Sequence, residues 1–426
     1  MHSESAGLAH QSRPQGHGAP PRPHPLARAA LVDRMNGWLT RAWERGLCTR
    51  PTLYPDALWA KAAGNASAIG ETGGRTAEDV ADFRLRLERL CDSLQCEAAL
   101  NPLGLTLAHG QLVRVIRQRL ALGARWQRQP ELIAQPVAAP IIVLGQMRSG
   151  TTRVHRLLAS DPRHAGTRFC DSWHPCPPTG WSPDSRPLWS ALSLFLARRF
   201  NPWLDTIHPF GVTRSDEELG WLAAGLDHCA YEAQWRVPAF TAFSEARGSG
   251  PVYREFDRIL RTDAAFRGNA HRPRVLKVPQ FAEDLPALLA LFPGASVVRT
   301  QRDLAQVAAS AVSLVSNQMA IQSDAADLAW IEAECRRKIA LREARMDAAL
   351  HDFEGKLVEV AFGQLNRDWE AQMLRVYGAF GLPLTEDAVH AMRREQERSA
   401  GSAHASHGAT YHRFAKLRAT PSNTAS

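Results

Sequence analysis

At 426 residues and 47.0 kDa the chain is too long for one small module and long enough for a large catalytic domain with appended segments. Its composition, 45% hydrophobic, 22% charged and 8% aromatic with a mean hydropathy of −0.28, excludes a wholly disordered chain, a collagen-like fibre and a coiled-coil rod. The net charge of +8 fits an anionic ligand, a nucleic acid or an acidic membrane surface without choosing among them.

Residues 1–30, rich in Pro, Gly, His and Ser, have little to bury and are expected to form a disordered tail. This stretch lacks the apolar core of a secretory signal, and no apolar run is long enough for a membrane span. Seven cysteines without a CxxC pair or zinc spacing behave as small core thiols of a reducing compartment, so a cytoplasmic location is expected.

From Leu31 the pattern turns helical, with Leu31, Met35, Leu39 and Trp43 on one stripe. Further helical blocks run from Thr76 to Cys96 and from Leu107 to Gln127. Arg114, Arg117 and Arg119 lack interleaved aromatics, which fits a solvated face better than a nucleic-acid patch. Residues 31–135 are expected to be an all-helical N-terminal arm, with a catalytic domain over 136–420.

Near Pro136 the pattern changes again. Ile141–Leu144 is a short apolar run bounded by Gly145, as expected of a buried parallel strand. Val275–Val278, Ser296–Arg299 and Lys356–Val360 repeat it, the first two leading into helical stretches. The alternation predicts an α/β fold, a P-loop-like parallel sheet flanked by helices with ligands at the carboxyl ends of its strands. The stretch 165–250, rich in Pro and Trp, is expected to build a pocket rather than sheet.

Between the first strand and its helix lies Gly145-Gln-Met-Arg-Ser-Gly-Thr-Thr152. Glycines permit a tight turn, backbone N–H groups point inward and the helix N-terminus adds positive potential, which together cradle an anion. Arg148, Ser149, Gly150, Thr151 and Thr152 supply charge, hydroxyls and close backbone approach. Gly145 and Gly150 have Walker A spacing, but Thr151 stands where a nucleoside triphosphatase has Lys, which argues against a P-loop kinase-like phosphotransferase.

The Arg-Ser-Gly-Thr-Thr wording after an apolar strand resembles the donor loop of sulfotransferases that use 3′-phosphoadenosine 5′-phosphosulfate (PAPS), in a bacterial and uncharacterised branch of that family. Met147 replaces the usual Pro. The resemblance implies the sulfotransferase fold, a PAPS co-substrate and a 3′-phosphate grip formed by Arg302, after a strand, and Ser310 eight residues on. Lys277, one of only five lysines, falls in the family's Leu-Lys-x-Pro-like segment and is expected to neutralise charge. A basic His412-Arg413 segment matches one that closes over the nucleotide.

Sulfuryl transfer is an in-line displacement that needs positioning, charge neutralisation and removal of the acceptor's proton. The resemblance implies Arg148 at the scissile bond, and as base Asp171, His208, Glu217 or Glu218, with His174 a further candidate. No metal is expected, since no clustered ligand set is apparent. Trp173, Trp181, Trp189, Trp203, Trp221 and Trp235 crowd the pocket-building stretch and favour a small apolar acceptor carrying a hydroxyl or amine. The competing class is a nucleotide-binding or interaction protein that kept the fold and lost the base. Neither a nucleic-acid partner nor a membrane span is expected, and the oligomeric state stays open.

Overall fold

The computed structural model describes residues 22–64, 69–180 and 182–400. Strands β1 (Ile141–Leu144), β2 (Ala165–Gly166), β3 (Arg274–Leu276), β4 (Ser296–Gln301) and β5 (Leu357–Ala361) form one parallel sheet in the order β2-β3-β1-β4-β5. The central strand aligns Ile141 with Val275 on one side and Leu144 with Arg299 on the other. All four residues of β1 are buried, as a strand covered on both faces requires. The expected α/β fold is therefore present. One expectation needs correction: the stretch 165–250 also contributes sheet, because β2 pairs with β3 through Ala165 and Arg274.

The helices that position the site are α1 (Ala30–Glu44), α2 (Ala77–Cys96), α3 (Pro102–Arg128), α4 (Thr151–Ser160), α5 (Arg186–Phe200), α6 (Gly250–Phe266), α7 (Leu304–Gln322), α8 (Leu328–His351) and α9 (Glu386–Ala400). Local chemistry starts several of them. Thr76 and Asp79 form a reciprocal capping box on α2, and Asn101 accepts from Gly104 N–H at 2.8 Å with Pro102 opening α3. Helix α7 is long and apolar enough to cross a membrane by length and composition, but 61% of that stretch is buried inside the protein.

Alternate residues of β1 feed two cores, the period-2 behaviour of a strand. Ile141 and Val143 pack with Val154 and Leu157 of α4 and with Met373 and Val376. Ile142 and Leu144 belong to a second core with Leu122 and Trp126 of α3, Phe256 of α6 and Leu285. Helix α3 thus joins the core beneath one face of the sheet, so the segment expected as an arm packs into the same core as the sheet. Arg75 and Arg119 reinforce the joint by pairing with buried Glu255 of α6 at 2.7 and 3.6 Å. Removing one member of such a buried group typically costs about 3–5 kcal/mol.

Most of the expected tail lies outside the described residues. Its last part is packed: Arg22 is buried and its Nη1 donates to the Ser313 carbonyl of α7 at 3.2 Å.

Candidate functional site

The loop after β1 is shaped by steric necessity. Gly145 has φ +143°, and a Cβ there would lie 2.3 Å from Thr300 Oγ1. Gly150 has φ +97°, and its Cβ would meet the Phe362 ring at 2.7 Å. Only glycine fits either position. Arg148 is a non-glycine residue at φ +70°, a conformation costing on the order of 1–3 kcal/mol that must be held by its surroundings.

Those surroundings are the second motif. Arg148 Nε donates to Ser310 Oγ on α7 at 3.0 Å, and its Nη1 donates to the Ile207 carbonyl at 2.9 Å. Arg302, just past β4, donates from Nη1 to the Arg148 carbonyl at 2.8 Å and from Nη2 to Gln306 at 3.1 Å, its guanidinium 4.3 Å from the centre of the Phe362 ring. Asp303, the obvious salt-bridge partner by sequence, instead caps α7 by accepting from Gln306 N–H at 2.9 Å. Burial, with Arg302 adding repulsion, lowers the Arg148 guanidinium to about 10, still charged at neutrality. Two cations held this close favour an anion between them.

Ser149 departs from its expected role. Its hydroxyl donates to the Gln146 carbonyl at 2.7 Å and shares a 2.6 Å hydrogen bond with Thr300 Oγ1, and its own N–H bonds Gln146. It pins the loop to β4 and does not line the cavity. The loop residues that do line the cavity include Gly150, Thr151 and Thr152, which open α4 without a side-chain cap, where backbone N–H groups have no partner four residues back and can receive an anion.

These residues line a cavity of about 560 Å³, with Arg148, Thr151, Thr152 and Arg302 in its polar lining and Phe169, Trp173, Leu194 and Phe210 among its apolar walls. His208, Asp216 and Glu217 also line it. Lys277, which directly follows β3, sends its buried Nζ to Thr152 Oγ1 at 3.0 Å and into an ion pair with Glu217. His208 Nε2 lies 3.0 Å from Asp216 Oδ1. Burial pushes the Asp216 carboxyl up, but His208, Arg156 and Lys277 outweigh it and hold it well below the usual carboxylate range.

The structure separates the remaining base candidates from the cavity. Asp171 is buried against Arg168 at 2.7 Å, Arg186 at 3.2 Å and Arg267 at 2.6 Å, and these cations override burial to keep it ionised. Asp171 joins chain segments and does not line the cavity, unlike its expected placement. Glu218 is fully buried, accepts the Lys277 N–H at 2.8 Å and is pushed by burial up to about 7. His174 is lowered to about 4 by burial and by Arg114 and Arg186, and its Nδ1 faces Gln118.

The fold also draws His208 and the acidic residues that follow it into a cluster, although no clustered ligand set was expected. His208, Asp216 and Glu217 bring possible metal-ligand atoms within 4.8 Å of one another, although Asp216 is engaged by His208 and Glu217 by Lys277. Arg156 of α4 reaches the cavity four residues after Thr152, on the same helical face, a signal present in the sequence. Phe362 and Thr300 had no such signal. Of the six tryptophans, Trp173 lines the cavity, Trp189 is exposed, and Trp203, Trp221 and Trp235 are buried in cores; Trp181 lies outside the described residues. Apart from Trp173, the aromatic and aliphatic walls named above come from Phe and Leu. His412 and Arg413 lie outside the described residues, whose last helix, α9, brings Glu395, Gln396 and Ser399 to the cavity.

A sulfotransferase family profile matches residues 140–387, more than half of the chain. The structure is similar to that of sulfotransferase STF1 from Mycobacterium tuberculosis H37Rv, with a TM-score of 0.71 and 27% identity over 85% of this chain and 98% of that one. It also matches sulfotransferase STF9 from Mycobacterium avium in fold, with a TM-score of 0.70 and 20% identity over 80% of this chain and 86% of that one. No protein of curated function matches the sequence.

Proposed function

The chain belongs to the sulfotransferase family, and we propose that it moves a sulfuryl group from 3′-phosphoadenosine 5′-phosphosulfate to a hydroxyl or amine of a small apolar acceptor in the cytoplasm. The observation that carries this reading is the coupling of the two phosphate motifs: Arg148 bonds Ser310 at 3.0 Å while Arg302 bonds the Arg148 carbonyl at 2.8 Å. The two guanidiniums and the first amides of α4 fit a nucleotide that carries two separate anionic groups. Seven free thiols fit the reducing compartment.

The donor supplies an activated sulfuryl group. Arg302 and Ser310 hold the 3′-phosphate. Thr151, Thr152 and the helix N-terminus hold the phosphosulfate end, and Arg148 and Lys277 oppose the charge that grows on the leaving oxygens. Lys277 is aimed by its contacts with Thr152 and Glu217. His208 is the base: an Nε2–H donated to Asp216 leaves the Nδ1 lone pair for the acceptor's proton, and the ionised Asp216 stabilises the imidazolium that results. Phe169, Trp173, Leu194 and Phe210 supply an apolar wall for the acceptor.

Thermal shift with 3′-phosphoadenosine 5′-phosphate, ATP–Mg²⁺ and buffer tests the donor assignment. Stabilisation by the first alone is expected. Equal or greater stabilisation by ATP–Mg²⁺ would support the kinase-like alternative instead. Donor binding without transfer to any hydroxyl or amine would identify a non-catalytic nucleotide binder.

A further inference from the structure

Helix α5 is built the wrong way round for a helix with water on its outer face. Only Arg186, Ser190 and Leu194, at intervals of four, are buried. The opposite face carries Leu188 at 70% exposure, Trp189 at 54%, Leu192 at 46%, Phe195 at 58% and Leu196 at 44%. Scattered exposed apolar residues need no explanation, but five large ones on one helix form a contiguous patch that calls for a partner.

Charge identifies that partner. The helix contains no Asp or Glu between Arg186 and Phe200 and ends in Arg198 and Arg199. Arg198 is answered by Asp205 at 2.8 Å, while Arg199 is exposed at the end of the apolar face. An antiparallel pairing with a second copy would set each Arg199 against the positive N-terminal end of the other helix, with no carboxylate on either helix to meet it. A negatively charged lipid surface meets both the apolar face and Arg199. At a rise of ~1.5 Å per residue the helix is ~22 Å long, short of the ~30 Å hydrocarbon core, so it would lie in the headgroup boundary and not cross it.

The inner side of the same helix supplies the functional link, because Leu194 and Ala197 line the acceptor cavity. We infer that α5 is an interfacial helix that docks the enzyme on anionic membrane and that the acceptor is a membrane-resident apolar molecule taken up beside it. The acceptor part rests on the sulfotransferase reading above; the docking part does not.

The test is sedimentation of the full chain with phosphatidylcholine vesicles, with and without phosphatidylglycerol, with light scattering to give the oligomeric state. The wild type should bind the phosphatidylglycerol vesicles, and salt should weaken the binding. Leu192→Ser and Phe195→Ser, both at exposed positions, should fold normally and together weaken it by at least about tenfold. Failure of the wild type to bind, or equal binding by the double variant, would overturn the proposal. A dimer dissolved by Phe195→Ser would assign the face to a second copy, and binding that appears only after deletion of residues 401–426 would assign it to that segment; either result also overturns it. Binding of 3′-phosphoadenosine 5′-phosphate, measured in the same preparations without vesicles, should be equal in both proteins. Its absence alongside retained vesicle binding would defeat the transferase reading and leave the docking surface standing.

Discussion

Ser310 on α7 accepts a hydrogen bond from Arg148 Nε at 3.0 Å across a sequence separation of 162 residues. The hydroxyl orients the guanidinium that the loop's left-handed backbone presents, so on the proposed reading the two motifs form one nucleotide site with a place for each of its anionic groups. Ser310→Ala should therefore weaken 3′-phosphoadenosine 5′-phosphate by about 1–2 kcal/mol and leave melting of the free protein nearly unchanged. Titration calorimetry gives the affinity, and an unaltered constant would show that the hydroxyl only decorates the helix.

Arg302→Ala should cost the 3′-phosphorylated nucleotide about 10–100-fold in affinity, the scale of a lost charge-assisted hydrogen bond, and the dephosphorylated analogue much less. Equal losses would show that Arg302 does not touch the 3′-phosphate. Phe362→Leu, which removes the aromatic face 4.3 Å from the guanidinium, should reproduce a fraction of the effect through misorientation.

Ser149→Ala separates scaffold from ligand. Its hydroxyl is committed to Gln146 and Thr300, so the variant should lose about 1–2 kcal/mol of stability while nucleotide affinity in the folded protein changes little. Denaturant melts and calorimetry together would show it; a large affinity loss at unchanged stability would return Ser149 to the ligand side.

His208→Gln should abolish turnover and leave donor affinity intact, whereas Asp171→Ala should destabilise by about 3 kcal/mol, by removing the buried carboxylate that buried Arg186 and half-buried Arg168 and Arg267 share, and leave the turnover of the folded fraction near wild type. Single-turnover assays beside unfolding curves distinguish the two. A catalytic defect in a well-folded Asp171 variant would reverse the assignment.

Glu218 gives a pH signature. Burial raises its carboxyl from an ordinary 4.5 to about 7, so the folded chain binds this proton more tightly than the unfolded one. The stabilisation from the protonated form is complete below the unfolded value and is lost as pH rises through the folded one. Glu218→Gln should therefore gain stability relative to wild type between about pH 5 and pH 8, by on the order of 2 kcal/mol. A constant difference across that window would mean the carboxyl titrates normally.

The sheet was legible in the sequence because apolar runs such as Ile141–Leu144 are local, and the donor loop because glycine, serine and threonine between strand and helix have few other uses. The base was not, because choosing among Asp171, His208 and Glu217 depends on which side chain finds a partner far along the chain. Asp171 meets Arg267, 96 residues on, and Lys277 takes Glu217 from 60 residues away. The tryptophan cluster misled for a related reason: density along the chain says nothing about direction, and Trp221 and Trp235 turned into cores. Trp189 turned outward instead, with half of its surface exposed.

Three cations leave the sheet at the carboxyl ends of three adjacent strands: Arg148 after β1 and Arg302 after β4, both lining the cavity, and Lys277 after β3, buried behind Thr152 and Glu217. The acceptor walls come largely from a different stretch of chain, from Phe169 through α5 to Phe210. Under the proposed transferase reading, the molecule would thus be divided into a fixed chassis for the nucleotide and an exchangeable hood for its co-reactant. Grafting a relative's hood onto this chassis would retarget the acceptor without disturbing the donor grip.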